Sequence, residues 1–152
     1  MIDALDAIML VMTEAFDSRY GEAWTRRQVA DSLTFANTRF VLAGVDADGG
    51  IDPQHLSGFA LTRQAADEEE VLLIAVRPAF RERGVGKRLM AEVTQAALAR
   101  GVTRLFLEMR QDNPAEHLYR ACGFAEIGRR KGYYRGAVGG PLDAITFGKT
   151  IG

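Results

Sequence analysis

The chain has 152 residues, 47% hydrophobic and 26% charged, with a net charge of −1. That length is enough to bury a core for one domain over 1–152, and the near-neutral charge argues against a nucleic-acid partner. A lone cysteine, Cys122, excludes an internal disulfide and a thiolate metal cluster. No metal is therefore expected. No basic region, apolar core and cleavage site open the chain, and no run approaches ~18 apolar residues, so a cytoplasmic protein without a membrane partner is expected.

Taken in order, Leu5, Ile8, Met9, Met12, Ala15 and Phe16 recur at three- and four-residue spacing and predict a helix over 3–16. Residues 17–23 read as a loop. Thr25 is placed to cap a second helix over 26–34, with Trp24 as a staple before it. Apolar runs predict strands over 39–45, 55–64 and 70–76, joined by a turn-rich stretch at 46–53 and by the acidic run 67–70, read as a solvated hairpin tip. Short polar connections make these three an antiparallel meander.

The pattern then changes to a helix over 85–100, stopped by Gly101, and a strand over 103–109. Strand, helix and strand in succession imply a parallel pair. A short helix over 114–121 and strands over 124–132 and 144–150, joined by the glycine-rich loop 136–140, complete an α/β fold with a mixed sheet.

The loop between the 70–76 strand and the 85–100 helix reads Arg81-Glu82-Arg83-Gly84-Val85-Gly86-Lys87. From Arg77 to Arg88 five basic residues face one acid, a local surplus of +4 on a neutral chain. Two glycines at a helix N-terminus let backbone N–H groups and the positive end of the helix converge on an anion. The plainer alternative is a solvated basic face. Glu108 interrupts the apolar strand Leu105-Phe106-Leu107-Glu108-Met109 on the face opposite its apolar neighbours, which is uncommon without a reason. A salt bridge to a neighbouring strand is the plainer reading. His55 and His117 have no partner ligands nearby in sequence and read as surface residues; Cys122 reads as buried.

With its strand and helix context, the Arg-x-x-Gly-x-Gly motif at Arg81–Gly86 resembles the acetyl-CoA motif of the GNAT N-acetyltransferase superfamily. Leu107-Glu108-Met109-Arg110, Asn113, Leu118-Tyr119-Arg120-Ala121-Cys122-Gly123-Phe124 and Tyr133-Tyr134 narrow the likeness to the ribosomal-protein-alanine N-acetyltransferases, the RimI type. The resemblance implies the GNAT fold, a central mixed sheet flanked by helices; in a departure from that pattern only Met1-Ile2 precede the first helix, so the usual first strand is expected to be missing or vestigial. It implies acetyl-CoA as co-substrate. The backbone of Arg81, Glu82, Arg83, Gly84, Val85, Gly86 and Lys87 would cradle the pyrophosphate, with Gly84 and Gly86 small enough to let it approach. Ile74, Ala75 and Val76 would pair with the pantetheine arm.

By the same resemblance Glu108 is the general base and Tyr119 the general acid, Asn113 a contact to the pantetheine or acetyl region, and Tyr133 and Tyr134 the wall of the acceptor site. Plainer roles compete: a core aromatic beside Phe124 for Tyr119, a helix cap for Asn113, strand aromatics for the tyrosine pair. Asn113 and Tyr119 are six residues apart where the RimI type has seven; one residue turns a helical side chain by about 100°, so the deletion belongs in the turn before the helix. The expected activity is acetylation of a protein N-terminal α-amine, an N-terminal alanine on a ribosomal protein, by direct attack on the thioester. The rivals are a small-amine or lysine acetyltransferase and a non-catalytic acyl-CoA sensor.

Overall fold

The computed structural model describes residues 1–16, 22–135 and 140–152. Most of the expected 17–23 loop and of the 136–140 loop lies outside them. Helix α1 (Ala4–Ala15) starts where the Asp3 carboxylate accepts the Asp6 N–H at 2.8 Å. Helix α2 (Arg26–Leu33) starts with a full capping box, Thr25 and Gln28 each accepting the other's backbone N–H. Trp24 and Val29 pack into the same apolar cluster as α1, which is the staple geometry.

Six strands form one sheet in the order β1-β2-β3-β4-β6-β5. They are β1 (Thr38–Ala43), β2 (Gly58–Ala65), β3 (Glu68–Val76), β4 (Arg104–Arg110), β5 (Ala125–Tyr134) and β6 (Leu142–Thr150). The expected meander is present, since β1–β2 and β2–β3 are antiparallel, and β3 and β4 are parallel across helix α3 (Val85–Ala99). Helix α4 (Glu116–Ala121) follows β4. No strand precedes α1 among the described residues, although the Ile2 N–H donates to Ile51 O at 3.1 Å.

Two boundaries move from expectation. Strand β2 begins at Gly58, because residues 53–55 turn and the Arg77 side chain takes the carbonyls of Pro53 and Leu56. His55 therefore lies in a loop. The acidic run is not a solvated tip: only its first residue, Asp67, stays in the turn, and Glu68, Glu69 and Glu70 belong to β3. Glu69 is 1% exposed, with the Arg100 guanidinium 2.6 Å from its carboxylate. A buried carboxylate needs such a partner.

Each face of the sheet carries one core. Helices α1 and α2 cover Phe59, Leu61, Leu73 and Ala75 on one face. On the other, α3 and α4 cover Val71, Leu105, Leu107, Met109 and Phe147. Val71 and Leu73 are two apart on one strand yet belong to opposite faces. The register explains it: Leu61 pairs with Leu73 and Thr62 with Val71, so Leu72 is an extra residue, a β-bulge that turns the strand over. Just before it, β3 and β4 part company. Their pairing covers only Glu68–Arg104, Glu69–Leu105 and Glu70–Phe106, and the remaining halves diverge.

Arg100→Met is expected to lower the unfolding free energy by about 3 kcal/mol, because it strands the Glu69 charge in the core. Glu69→Leu/Arg100→Met should recover most of that loss. Urea denaturation of the three chains checks both values.

Candidate active site

The divergence of β3 and β4 opens a cleft, and the sequence around it sets its chemistry. Beyond Glu70, β3 keeps its β2 partner, and among the described residues no strand pairs with it on its β4 side, so the Ile74–Ala75–Val76 backbone lies at an edge without a partner strand. At its end a 3₁₀ turn (Pro78–Phe80) leads into the glycine loop. The Arg81 side chain ties that loop down, donating to Val76 O and Ala15 O, both at 3.2 Å. Glu82 and Gly84 hold positive φ of 63° and 78°, so successive N–H groups turn inward as in an anion nest.

Helix α3 has no side-chain cap, and its first internal bond runs from the Arg88 N–H to Gly84 O. The N–H groups of Val85, Gly86 and Lys87 are thus left over at the positive end of the helix. A cleft of about 370 Å³ lies in front of them, lined by Val76, Arg81, Glu82, Gly84, Val85, Gly86 and Lys87 and also by Phe80 and Leu118. The two glycines serve different ends. Nothing stands within 4 Å of a Cβ added at Gly84, whose left-handed φ is what requires glycine, while a Cβ at Gly86 would meet Leu118 Cδ2 at 2.9 Å. Gly86 therefore lets α4 pack onto α3. Free N–H groups, an open floor, basic side chains and a bare strand edge fit a long ligand with an anionic end.

The remaining candidate residues lie outside that lining, towards the C-terminal end of β4, on α4 next to Leu118 and on β5. Glu108 is 27% exposed and pairs at 2.5 Å with Arg130 of β5, reaching past β6, while the Arg130 guanidinium stacks on Tyr133 at 3.9 Å. Its place on the polar face is as expected; it does form a salt bridge, but with the next strand but one rather than with a neighbouring strand. Tyr119 is the buried residue of α4, packed between Phe124 and Phe147 with centroids 6.3 Å away. Burial pushes its hydroxyl pKa well up, and the nearby Glu22 carboxylate adds to the shift. Tyr119 thus keeps its proton at any physiological pH.

Asn113 makes its side-chain hydrogen bonds within the chain, one of them at the start of α4, near the plainer reading of a helix cap. Its Nδ2 donates to Glu22 at 3.1 Å and its Oδ1 accepts the Ala115 N–H at 2.9 Å, so both ends of the amide are occupied within the chain. Tyr133 and Tyr134 meet edge to face at 5.3 Å at the end of β5. The Tyr134 hydroxyl pKa is raised by burial and then by Glu108 and Glu22, which puts both carboxylates near it.

Sequence reasoning missed Glu22, Arg110, Arg130 and Phe80. The Glu22 carboxylate takes Arg110 Nε at 3.0 Å as well as Asn113, with both members of the ion pair largely buried. No local pattern joins residues 88 and 91 positions apart. Arg110 could have been noticed, since it shares the polar face of β4 with Glu108. His55 is exposed as expected but not without partners: it stands 3.1 Å from Asp46 and 3.7 Å from Asp52. Cys122 is only half-buried; that burial raises its thiol pKa against the opposing charges of Lys149 and Lys87. No helix among the described residues is long and apolar enough to cross a membrane.

A parallel pair split by a bulge, with a glycine nest at one end and carboxylates and tyrosines at the other, is the frame of an acyl-CoA-dependent transferase fold. The model of the acetyltransferase (GNAT) family matches residues 8–124, and the chain belongs to that family. It is 35% identical over 95 residues to the ribosomal protein bS18-alanine N-acetyltransferase of Haemophilus influenzae, covering 62% of this chain and 65% of the relative. It is also 35% identical over 119 residues to the streptothricin acetyltransferase of Streptomyces lavendulae, covering 76% of this chain and 57% of the relative. Each match thus spans less than two thirds of the curated relative. The crystal structure of the ribosomal-protein-S18-alanine N-acetyltransferase from Escherichia coli superposes with a TM-score of 0.80 at 25% identity, covering 99% of this chain and 90% of that one.

The hairpin that carries the tyrosines has its own electrostatic clasp. Asp143 accepts the Gly132 N–H at 3.0 Å and Arg129 Nη1 at 2.9 Å, and these two contacts hold its carboxyl below the ordinary range. A depressed pKa means the clasp is fully present above the unfolded carboxylate value, about 3.9, and is lost as pH falls through the folded one. NMR titration of the Asp143 carboxyl is expected to give a midpoint below ~3.9. A midpoint at or above that value would show that the clasp does not form.

Proposed function

We propose that the chain transfers an acetyl group from acetyl-CoA to a protein N-terminal α-amine, that of an N-terminal alanine on a ribosomal protein. The observation that carries the reading is the cleft in front of the Gly84 loop and the α3 N-terminus, which meets the unpaired Ile74–Val76 end of β3 at Val76. The likeness to the Escherichia coli structure over 99% of the chain supports the acceptor class.

When bound, acetyl-CoA supplies the activated thioester. The N–H groups of Val85, Gly86 and Lys87 hold its pyrophosphate, with Arg83 and Lys87 adding charge. The Ile74–Val76 edge pairs with the pantetheine arm as an added strand would, and a free N–H there polarises the thioester carbonyl. An α-amine has a pKa near 8 and arrives largely as ammonium at neutral pH. It competes with Arg130 for the Glu108 carboxylate, which takes its proton. The neutral nitrogen then attacks the carbonyl, the C–S bond breaks as the adduct collapses, Tyr119 gives its proton to the departing thiolate, and the second proton shed by the nitrogen restores the Tyr119 hydroxyl. Asn113 acts from within the chain by shaping the turn that carries α4.

Glu108→Gln is expected to cut kcat/KM for an alanine-starting peptide by about 100-fold. What remains should rise with pH towards the amine pKa, since only the free amine can then react. An unchanged rate and pH profile would remove Glu108 as the base.

The streptothricin acetyltransferase relative favours a second reading, a small cationic amine as acceptor. Incubation with a deacetylated ribosomal-protein pool, read by mass spectrometry, against streptothricin and an N-blocked lysine peptide separates the two. The proposal requires label on N-terminal alanine and little on either competitor.

A further inference from the structure

We infer that Glu22 is a positioning residue for the acid–base wall, a tether that sets the start of α4 and with it the place of the Tyr119 hydroxyl. The inference rests on the reading of Tyr119 as the acid given above. Glu22 comes from the segment before α2, on the layer that covers one face of the sheet, and α4 lies on the other face. Its carboxylate spans the C-terminal end of β4 between them. One oxygen takes Arg110 Nε at 3.0 Å, the other Asn113 Nδ2 at 3.1 Å.

The chain of contacts then runs on without a gap. Asn113 Oδ1 accepts the Ala115 N–H at 2.9 Å, and Ala115 O accepts the Tyr119 N–H at 3.1 Å. Helix α4 has only six residues and no side-chain cap of its own at Ala115. So short a helix has little rigidity from its own hydrogen bonds, and what fixes its start fixes its direction. Arg110, 8% exposed, neutralises the carboxylate and prevents it from turning away. The same carboxylate lies close enough to Tyr119 and Tyr134 to act on both hydroxyls. A displaced Glu22 would therefore shift the proton donor and the acceptor wall together, leaving the glycine nest untouched.

The geometry allows a test that a merely structural role would fail. In Glu22→Gln, the new amide nitrogen faces the Asn113 Nδ2, donor against donor. In Glu22→Gln/Asn113→Asp the pair is reversed. The oxygen of the amide introduced at position 22 accepts from Arg110, its nitrogen donates to the carboxylate introduced at position 113, and the Ala115 N–H keeps an acceptor. Net charge is conserved.

Glu22→Gln is expected to lower kcat about tenfold, as misplacement of a reacting group does, with the KM for acetyl-CoA unchanged. The reversed pair should regain most of kcat. Glu22→Asp, which keeps the charge but is too short to reach both partners, should be slow as well. Urea melts of each variant confirm that folded protein is compared. An unchanged kcat in Glu22→Gln, or a reversed pair as slow as the single change, overturns the tether. Tyr119→Phe measured alongside keeps the two readings apart: full activity there removes Tyr119 as the acid, whereas a slow Tyr119→Phe with a fast Glu22→Gln removes only the tether.

Discussion

Every strand has two edges of backbone donors and acceptors, and each group withdrawn from water must find a partner. In this protein β3 satisfies one edge against β2 along its length and the other against β4 for only three residue pairs. The extra residue Leu72 sets that limit: it inverts the strand's facing and adds local twist where the two parallel strands would otherwise continue together. The unpaired half of β3 is what makes a cleft possible at all. The position of α3 follows, since the helix begins at the open end and aims its leftover N–H groups there.

Charge is then sorted along that cleft. Exposed cations gather around the α3 N-terminus, where the helix end already favours an anion. At the far wall, two carboxylates are each held by an arginine, Glu108 by Arg130 and Glu22 by Arg110. The two pairs differ in setting. Arg130 is 56% exposed, so its hold on Glu108 is solvent-screened and exchangeable, which suits the proposed meeting of Glu108 with an incoming amine. Arg110 is 8% exposed, and a pair that deep is retained for geometry. A second buried pair, Glu69 with Arg100, lies at the closed end of the β3–β4 pairing, where it anchors the start of β3 to the end of α3.

The elements whose formation depends on neighbours in sequence were legible without a structure. Periodicity marks the helices, Thr25 marks the start of α2, turn chemistry marks the meander, and two glycines beside basic residues mark an anion site ahead of α3. Glu108 was legible as well, because a charge that breaks an apolar strand is visible one residue at a time. Tyr119 and the Tyr133–Tyr134 pair were singled out through resemblance alone, and Tyr119 packs against Phe124 and Phe147.

What the sequence by itself determined is therefore the set of elements and the mixed, parallel and antiparallel character of the sheet, since these rest on local spacing and on the connections between elements. The tertiary structure alone decided which carboxylates are held and by what. Glu69 looked like part of a solvated tip until Arg100, 31 residues on, came to lie over it. Glu22 had no visible role until folding brought Arg110 and Asn113 to its two oxygens. Asn113 lost its freedom to a contact that no window of sequence contains. The same holds for Leu72: a bulge is a mismatch between two strands, and one strand read alone cannot show it.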